Sequence, residues 1–156
     1  MATTHSDPPT LTRQTSAAVT TNEKLRDPAY QAFFLLRTVF TIAPILFGLD
    51  KYFDVLVNWD RYVAPNVVAH LPWSAHELMY GVGAIEIFAG LVVAFWPRFG
   101  GYLVAAWLAG IIFNLLLIPG FYDVALRDFG LLVAALALAR LATAFSPGLP
   151  FVRDRS

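Results

Sequence analysis

One carboxylate, Glu86, lies in the middle of the apolar run GVGAIEIFAGLVVAF, residues 81–95. Ionisable side chains deep in apolar helices are rare and costly, and they turn toward a bundle interior or a wet cavity. The counter-charge at similar depth is Arg37, in AFFLLRTVFTIAPILFGL. At 1.5 Å per residue, Glu86 falls roughly 15 Å from His76 and Arg37 roughly 20 Å from Asp50, the outer ends of their helices. The expectation is that the two meet near mid-helix, each lowering the other's burial cost. Gly83 and Gly90 project within about 60° of Glu86. Small residues mark close helix contacts in membranes, so this face turns toward a neighbouring helix and not toward lipid.

A second set of polar residues lies nearer one end of the apolar segments: Asp50, Lys51, His76, Glu77, Asn114, Asp123, Arg127 and Asp128. Asp123 and Arg127 are spaced i,i+4 and can pair on one helix face. Arg37, Glu86, Asn114, Arg127 and Asp128 together outline a candidate polar cavity that could hold a quinone or another ligand, or pass a proton. Asp50, Lys51, His76, Glu77 and Asp123 form a polar cluster at its outer mouth. A second reading stays open. The ion pairs and amides could simply lock a bundle in register, and Asp50, Lys51, His76 and Glu77 could be solvated helix ends and caps.

The chemistry that these residues exclude is clearer. There is no cysteine, so disulfides, CxxC redox chemistry and thiolate metal sites are absent. A haem held by two histidines would need a second histidine within the helices, and only His76 is near one, with His70 in a loop and His5 in the N-terminal stretch. Asp50, His76 and Glu77 carry no specific metal-ligand spacing, and no metal is expected. No Ser/His/Asp order, phosphate loop or dinucleotide fingerprint appears, so no catalytic residue is assigned.

The elements that carry these residues follow from hydropathy. The 156-residue chain is 58% hydrophobic and 14% charged, with a mean hydropathy of +0.60. A soluble domain has about a quarter of its residues charged. The apolar residues gather into four segments near the ~20 residues that a membrane-spanning helix needs: 32–49, 75–96, 99–118 and 122–145. Pro97 and Arg98 separate the second from the third, and Pro119–Phe121 the third from the fourth; proline ends helices by lacking a donor and clashing with the preceding turn. Pro44 lies inside the first segment and predicts a kink there. Aromatic residues such as Trp59, Trp73, Trp96, Tyr102 and Tyr122 sit near segment ends, as in an interfacial belt, though core packing explains some of them equally well.

The fold class expected is an all-α integral membrane protein, a bundle of four transmembrane helices in 27–146. Residues 1–26, rich in Thr, Ser, Ala and Pro, read as a disordered cytoplasmic tail without a signal-peptide pattern. Residues 147–156 read as a short cytoplasmic tail. The loop from Lys51 to Ser74 is long and apolar for a connector; it is expected to lie partly at the interface and cover the outer mouth. Lys and Arg crowd the side of the termini (Arg13, Lys24, Arg26, Arg98, Arg140, Arg153, Arg155), which puts both termini in the cytoplasm. Zero net charge gives no basic surface for nucleic acid.

The stretches RTVF…APILFGLDKYF, GAIEIFAGLVV and ALRDFGLLVAALALARL resemble the DoxX-like membrane proteins, over most of 33–144. The resemblance implies a four-helix bundle in the cytoplasmic membrane of a bacterium. Some members of that family resemble the small subunit of thiosulfate:quinone oxidoreductase, and others are similar to membrane partners of redox-defence proteins. By position, Lys51 matches the lysine that ends the family's first helix, Glu86 its helix-two acid, and Arg127 and Asp128 the polar pair of its fourth helix. No catalytic role comes with the match. The missing cysteines depart from thiol-active four-helix relatives and exclude vitamin K epoxide reductase chemistry.

Three functions are therefore weighed. The favoured one is an accessory subunit of a membrane redox or respiratory assembly linked to quinone, with the lipid bilayer and a larger membrane complex or a second copy as partners. The others are a structural or assembly protein without a ligand, and a small proton-coupled carrier. An autonomous enzyme is not expected.

Overall fold

The computed structural model describes residues 26–146, which are helical apart from short connections, with no strand among them. The expected tails, apart from Arg26, lie outside the described residues. The helices are α1 (Pro28–Asp50), α2 (Pro65–Val68), α3 (Ala75–Phe95), α4 (Pro97–Leu116) and α5 (Tyr122–Phe145), with a 3-10 turn at Trp59–Tyr62.

Local chemistry sets the ends. The side chain of Asp27 accepts from Ala29 N at 2.9 Å and Pro28 occupies the first turn, so α1 starts before the apolar run does. Proline suits that position because its missing N–H would have no helical partner. The same logic corrects the third segment: Pro97 opens α4 immediately after Trp96, where 99 had been expected. Ser74 and Glu77 form a reciprocal capping box on α3. The turn before α5 uses Gly120 at φ +91, a left-handed conformation natural to glycine. α1 runs as one helix through Pro44.

α1, α3, α4 and α5 are all long and apolar enough to cross a membrane. Their packing has the character of a bundle meant for an apolar solvent. In the most apolar stretch of each, only 17–39% of residues are buried. Phe34, Leu35, Phe88, Phe95, Phe113 and Leu126 are exposed to 58% or more. Water would penalise such a surface at about 25 cal/mol per Å², whereas hydrocarbon would not. This is the signature of a multi-pass membrane protein.

α1 packs most extensively on α3, and α4 on α5; looser contacts between α3 and α4 and between α1 and α5 close the ring. The interior is made of small and medium side chains, among them Ala89, Val93, Val104, Ala105, Ala135, Leu138 and Ala142. Tyr30 and Phe33 of α1 meet Phe145 of α5 at ring separations of 5.5 and 5.7 Å. The start of the first long helix and the end of the last therefore share one end of the bundle. The opposite end carries the 51–74 segment and the cavity described next.

Candidate functional site

The register of α1 against α3 decides what Glu86 can reach. A Cβ on Gly48 or Gly83 would lie 2.6 Å from the other's carbonyl oxygen, and one on Gly90 would lie 2.7 Å from Thr41 O. The helices thus touch backbone to backbone, with Gly48 opposite Gly83 and Thr41 opposite Gly90. In that antiparallel register Arg37 lies opposite Ala94, and its guanidinium donates to Ala94 O. Arg37 is about 12 Å along α3 from Glu86. The expected Arg37–Glu86 pair does not form. Depth counted from each helix's own end does not align the two residues, because α3 begins well beyond the level at which α1 stops.

Glu86 pairs instead with Lys51. Lys51 Nζ donates to Glu86 Oε2 at 2.7 Å, and the two residues are 4% and 9% exposed. Lys51 follows the last residue of α1, and its long stem runs back along the bundle to reach the carboxylate. The ammonium also lies 3.7 Å from the centre of the Trp59 ring, a cation–π contact that offsets part of its dehydration. Lys51 therefore belongs to the interior and not to the outer cluster where it was expected.

The Lys51–Glu86 pair forms part of the wall of a cavity of about 720 Å³. Leu78, Met79, Val82 and Glu86 of α3, Trp107, Ile111 and Asn114 of α4, and Val124, Arg127, Asp128 and Leu131 of α5 line it. The 51–74 segment adds Leu56, Val57, Trp59, Tyr62, Val63 and Val67. Of the expected site residues, the structure brings Glu86, Asn114, Arg127 and Asp128 to this wall; Arg37 is not among its lining residues. Phe47, Leu56, Phe113 and Leu131 line the cavity yet are themselves exposed. The cavity thus communicates with the apolar outer surface.

Two anchors, Asp50 buried and Asn114 half-buried, hold the cover in place. The carboxylate of Asp50, 8% exposed, accepts from Val55 N and Leu56 N at 3.1 Å and from Trp59 Nε1 at 2.7 Å. Asn114 uses both ends of its amide: Oδ1 accepts from Ala64 N at 3.0 Å and Nδ2 donates to Tyr62 O at 2.6 Å. Backbone groups in a loop otherwise lack partners, so each anchor removes a burial penalty. Tyr52 adds a bond from its hydroxyl to Tyr80 O at 2.9 Å and stacks on the Tyr80 ring at 5.1 Å.

The remaining members of the expected outer cluster do not form one group. Glu77 caps α3 with Ser74. His76 touches the Tyr80 hydroxyl at 2.8 Å and lies 3.4 Å from Asp60. Asp123 accepts from Arg127 at 3.0 Å on the exposed side of α5. Asp50 serves the loop. The cluster disperses because each of these side chains is short and finds a local partner before it reaches the others.

Two tryptophans escaped the sequence reasoning. Trp59 connects Asp50 to Lys51, and Trp107 carries a buried indole N–H without a hydrogen bond. That N–H is near enough to the Glu86 carboxylate for a weak hydrogen-bonding interaction, though outside normal hydrogen-bond geometry. The available signal was position: Trp107 falls in mid-helix, away from the ends where tryptophan prefers to sit, and a buried indole needs an acceptor. No three His, Asp or Glu side chains cluster as a metal site among the described residues.

No family model matches the chain, and no curated protein or solved structure does either. The fold and the cavity define the class: an all-helical protein with four helices long and apolar enough to cross a membrane, and between them an apolar cavity with a buried ion pair in its wall.

Proposed function

We propose that this is a DoxX-like membrane protein of the bacterial cytoplasmic membrane, with both termini cytoplasmic, that binds a quinone-class ligand inside its bundle. It serves a membrane redox or respiratory assembly as an accessory subunit. The cavity is the observation that carries the reading. Its 720 Å³ falls within the roughly 300–1,000 Å³ of small-molecule sites. Its walls are apolar and aromatic with a few polar groups, which suits a flat, lipid-soluble ring with polar edges. Its opening to the apolar surface would admit a ligand dissolved in the bilayer. The resemblance in the first, second and fourth long helices adds the redox context, and the reading assigns no catalytic residue to this chain.

Titration with a short-chain quinone tests the reading, because quinones quench tryptophan and both Trp59 and Trp107 line the cavity. Saturable quenching that falls in Trp107→Phe, together with quinone in the organic extract of protein purified from native membranes, is expected. Quenching no greater than that of free tryptophan in the same micelles would refute it.

A structural role keeps one specific support: Lys51–Glu86 ties the loop after α1 to α3, and Asn114 ties the cover to α4. The same titration separates the two readings, since locking alone predicts no saturable ligand.

A further inference from the structure

Four charged side chains line the cavity: Lys51, Glu86, Arg127 and Asp128. Lys51 and Glu86 are joined at 2.7 Å, and Arg127 is joined to Asp123 at 3.0 Å. Asp128, half-buried on α5, makes no hydrogen bond or ion pair among the described residues and feels Arg127 only through space. Trp107 presents the opposite need, a buried N–H whose nearest acceptor, the Glu86 carboxylate, lies outside normal hydrogen-bond geometry. The cavity therefore holds, among its polar groups, a carboxylate acceptor on Asp128 and an indole donor on Trp107 that make no well-formed hydrogen bond among the described residues.

An indole N–H can only donate, and a carboxylate can only accept. A quinone ring offers carbonyl oxygens alone. It would satisfy Trp107 and leave Asp128 facing another acceptor in an apolar chamber, which is unfavourable. A hydroxyl offers both functions, accepting on oxygen and donating its proton. Hydroquinones and alkylphenols carry that group on the same flat, apolar frame.

We infer that the cavity takes its aromatic ligand in the hydroxylated form, a hydroquinone or a related alkylphenol, with Asp128 accepting the hydroxyl proton and Trp107 donating to a ligand oxygen. This rests on the reading of the cavity as a quinone-class site and specifies which redox form it prefers. Phe47, Val82, Phe113 and Leu131 supply the apolar wall for the ring and its tail.

The test uses full-length protein in detergent and isothermal titration calorimetry, corrected for partition into empty micelles. The probes are 4-heptylphenol, its methyl ether 4-heptylanisole, and heptylammonium. The phenol and its ether share frame and tail and differ in the hydroxyl proton. Wild type is expected to bind the phenol about ten-fold or more tightly than the ether, the value of one hydrogen bond to a charged acceptor. In Asp128→Leu that preference is expected to fall to about two-fold or less, with affinity for the ether unchanged. Equal binding of phenol and ether to wild type would overturn the role of Asp128 while leaving the ligand site standing. So would a phenol preference that persists in Asp128→Leu, or tighter binding of heptylammonium than of the phenol. Binding of neither phenol nor ether would overturn this inference and the quinone reading together. Equal binding in wild type overturns the inference without any variant, and should Asp128→Leu fail to fold, Asp128→Asn, which keeps the shape and removes the charge, is expected to show the same loss of phenol preference, its persistence there overturning the role of Asp128.

Discussion

Breaking the Lys51–Glu86 pair from either side should destabilise the bundle, and removing both charges should largely restore it. The two residues are 4% and 9% exposed and 2.7 Å apart. Removing one partner of a buried pair costs about 3–5 kcal/mol, because the other charge is left without compensation, whereas apolar replacement of both is often neutral. A ceiling comes from ionisation: an unpaired side chain can neutralise, at about 3.7 kcal/mol for glutamate and about 4.6 for lysine at pH 7 from ordinary pKa values. In Glu86→Gln the ammonium keeps its contact with Trp59 at 3.7 Å, which offsets about 0.5–2 kcal/mol. We expect Lys51→Met to lose about 4 kcal/mol, Glu86→Gln about 3, and the double variant Lys51→Met/Glu86→Met about 1. The assay is reversible unfolding of detergent-solubilised protein, followed by tryptophan fluorescence. Losses that add in the double variant, or single losses below about 1 kcal/mol, would refute the reasoning: the pair would then be solvated, and the cavity wall wet.

Gly83→Ala places a methyl group 2.6 Å from Gly48 O and should cost about 1–3 kcal/mol by forcing α1 and α3 apart. Gly81→Ala, with nothing within 4 Å of its Cβ, should be neutral or stabilise by up to about 1 kcal/mol in the same unfolding assay. Asn114→Leu strands Ala64 N and Tyr62 O, at about 1–3 kcal/mol; faster hydrogen exchange at 62–68, with the core of α4 unchanged, is the expected readout. Orientation can be tested with single cysteines, since the chain has none of its own. In intact cells a membrane-impermeant maleimide should label Asn58→Cys and spare Arg98→Cys, and the reverse pattern would invert the proposed topology.

The long helices were legible because hydropathy, length and the prolines at 97 and 119 all spoke for the same four segments. That Glu86 faces inward was legible too, since a carboxylate flanked by Gly83 and Gly90 on one helix face has few other places to go. Its partner was not read correctly, for two physical reasons. Depth was counted from helix ends, and packed helices need not stop at the same level. Lysine is also long enough to bring its charge into the interior from a residue just past a helix end, so Lys51 could not be assigned a depth from its Cα alone. Yet the register itself was written in the chain. Gly83 and Gly90 are seven apart, and so are Thr41 and Gly48; only an antiparallel pairing of Gly48 with Gly83 and Thr41 with Gly90 lets both small residues of α3 meet small residues of α1, which is the contact found. Applied first, that match would have carried Arg37 to the level of Ala94 and left Glu86 without a cation on the facing stretch of α1, making Lys51 the nearest basic side chain along it. In an apolar bundle, close backbone contact is the stronger constraint on register, and charges pair with whatever that register leaves within reach.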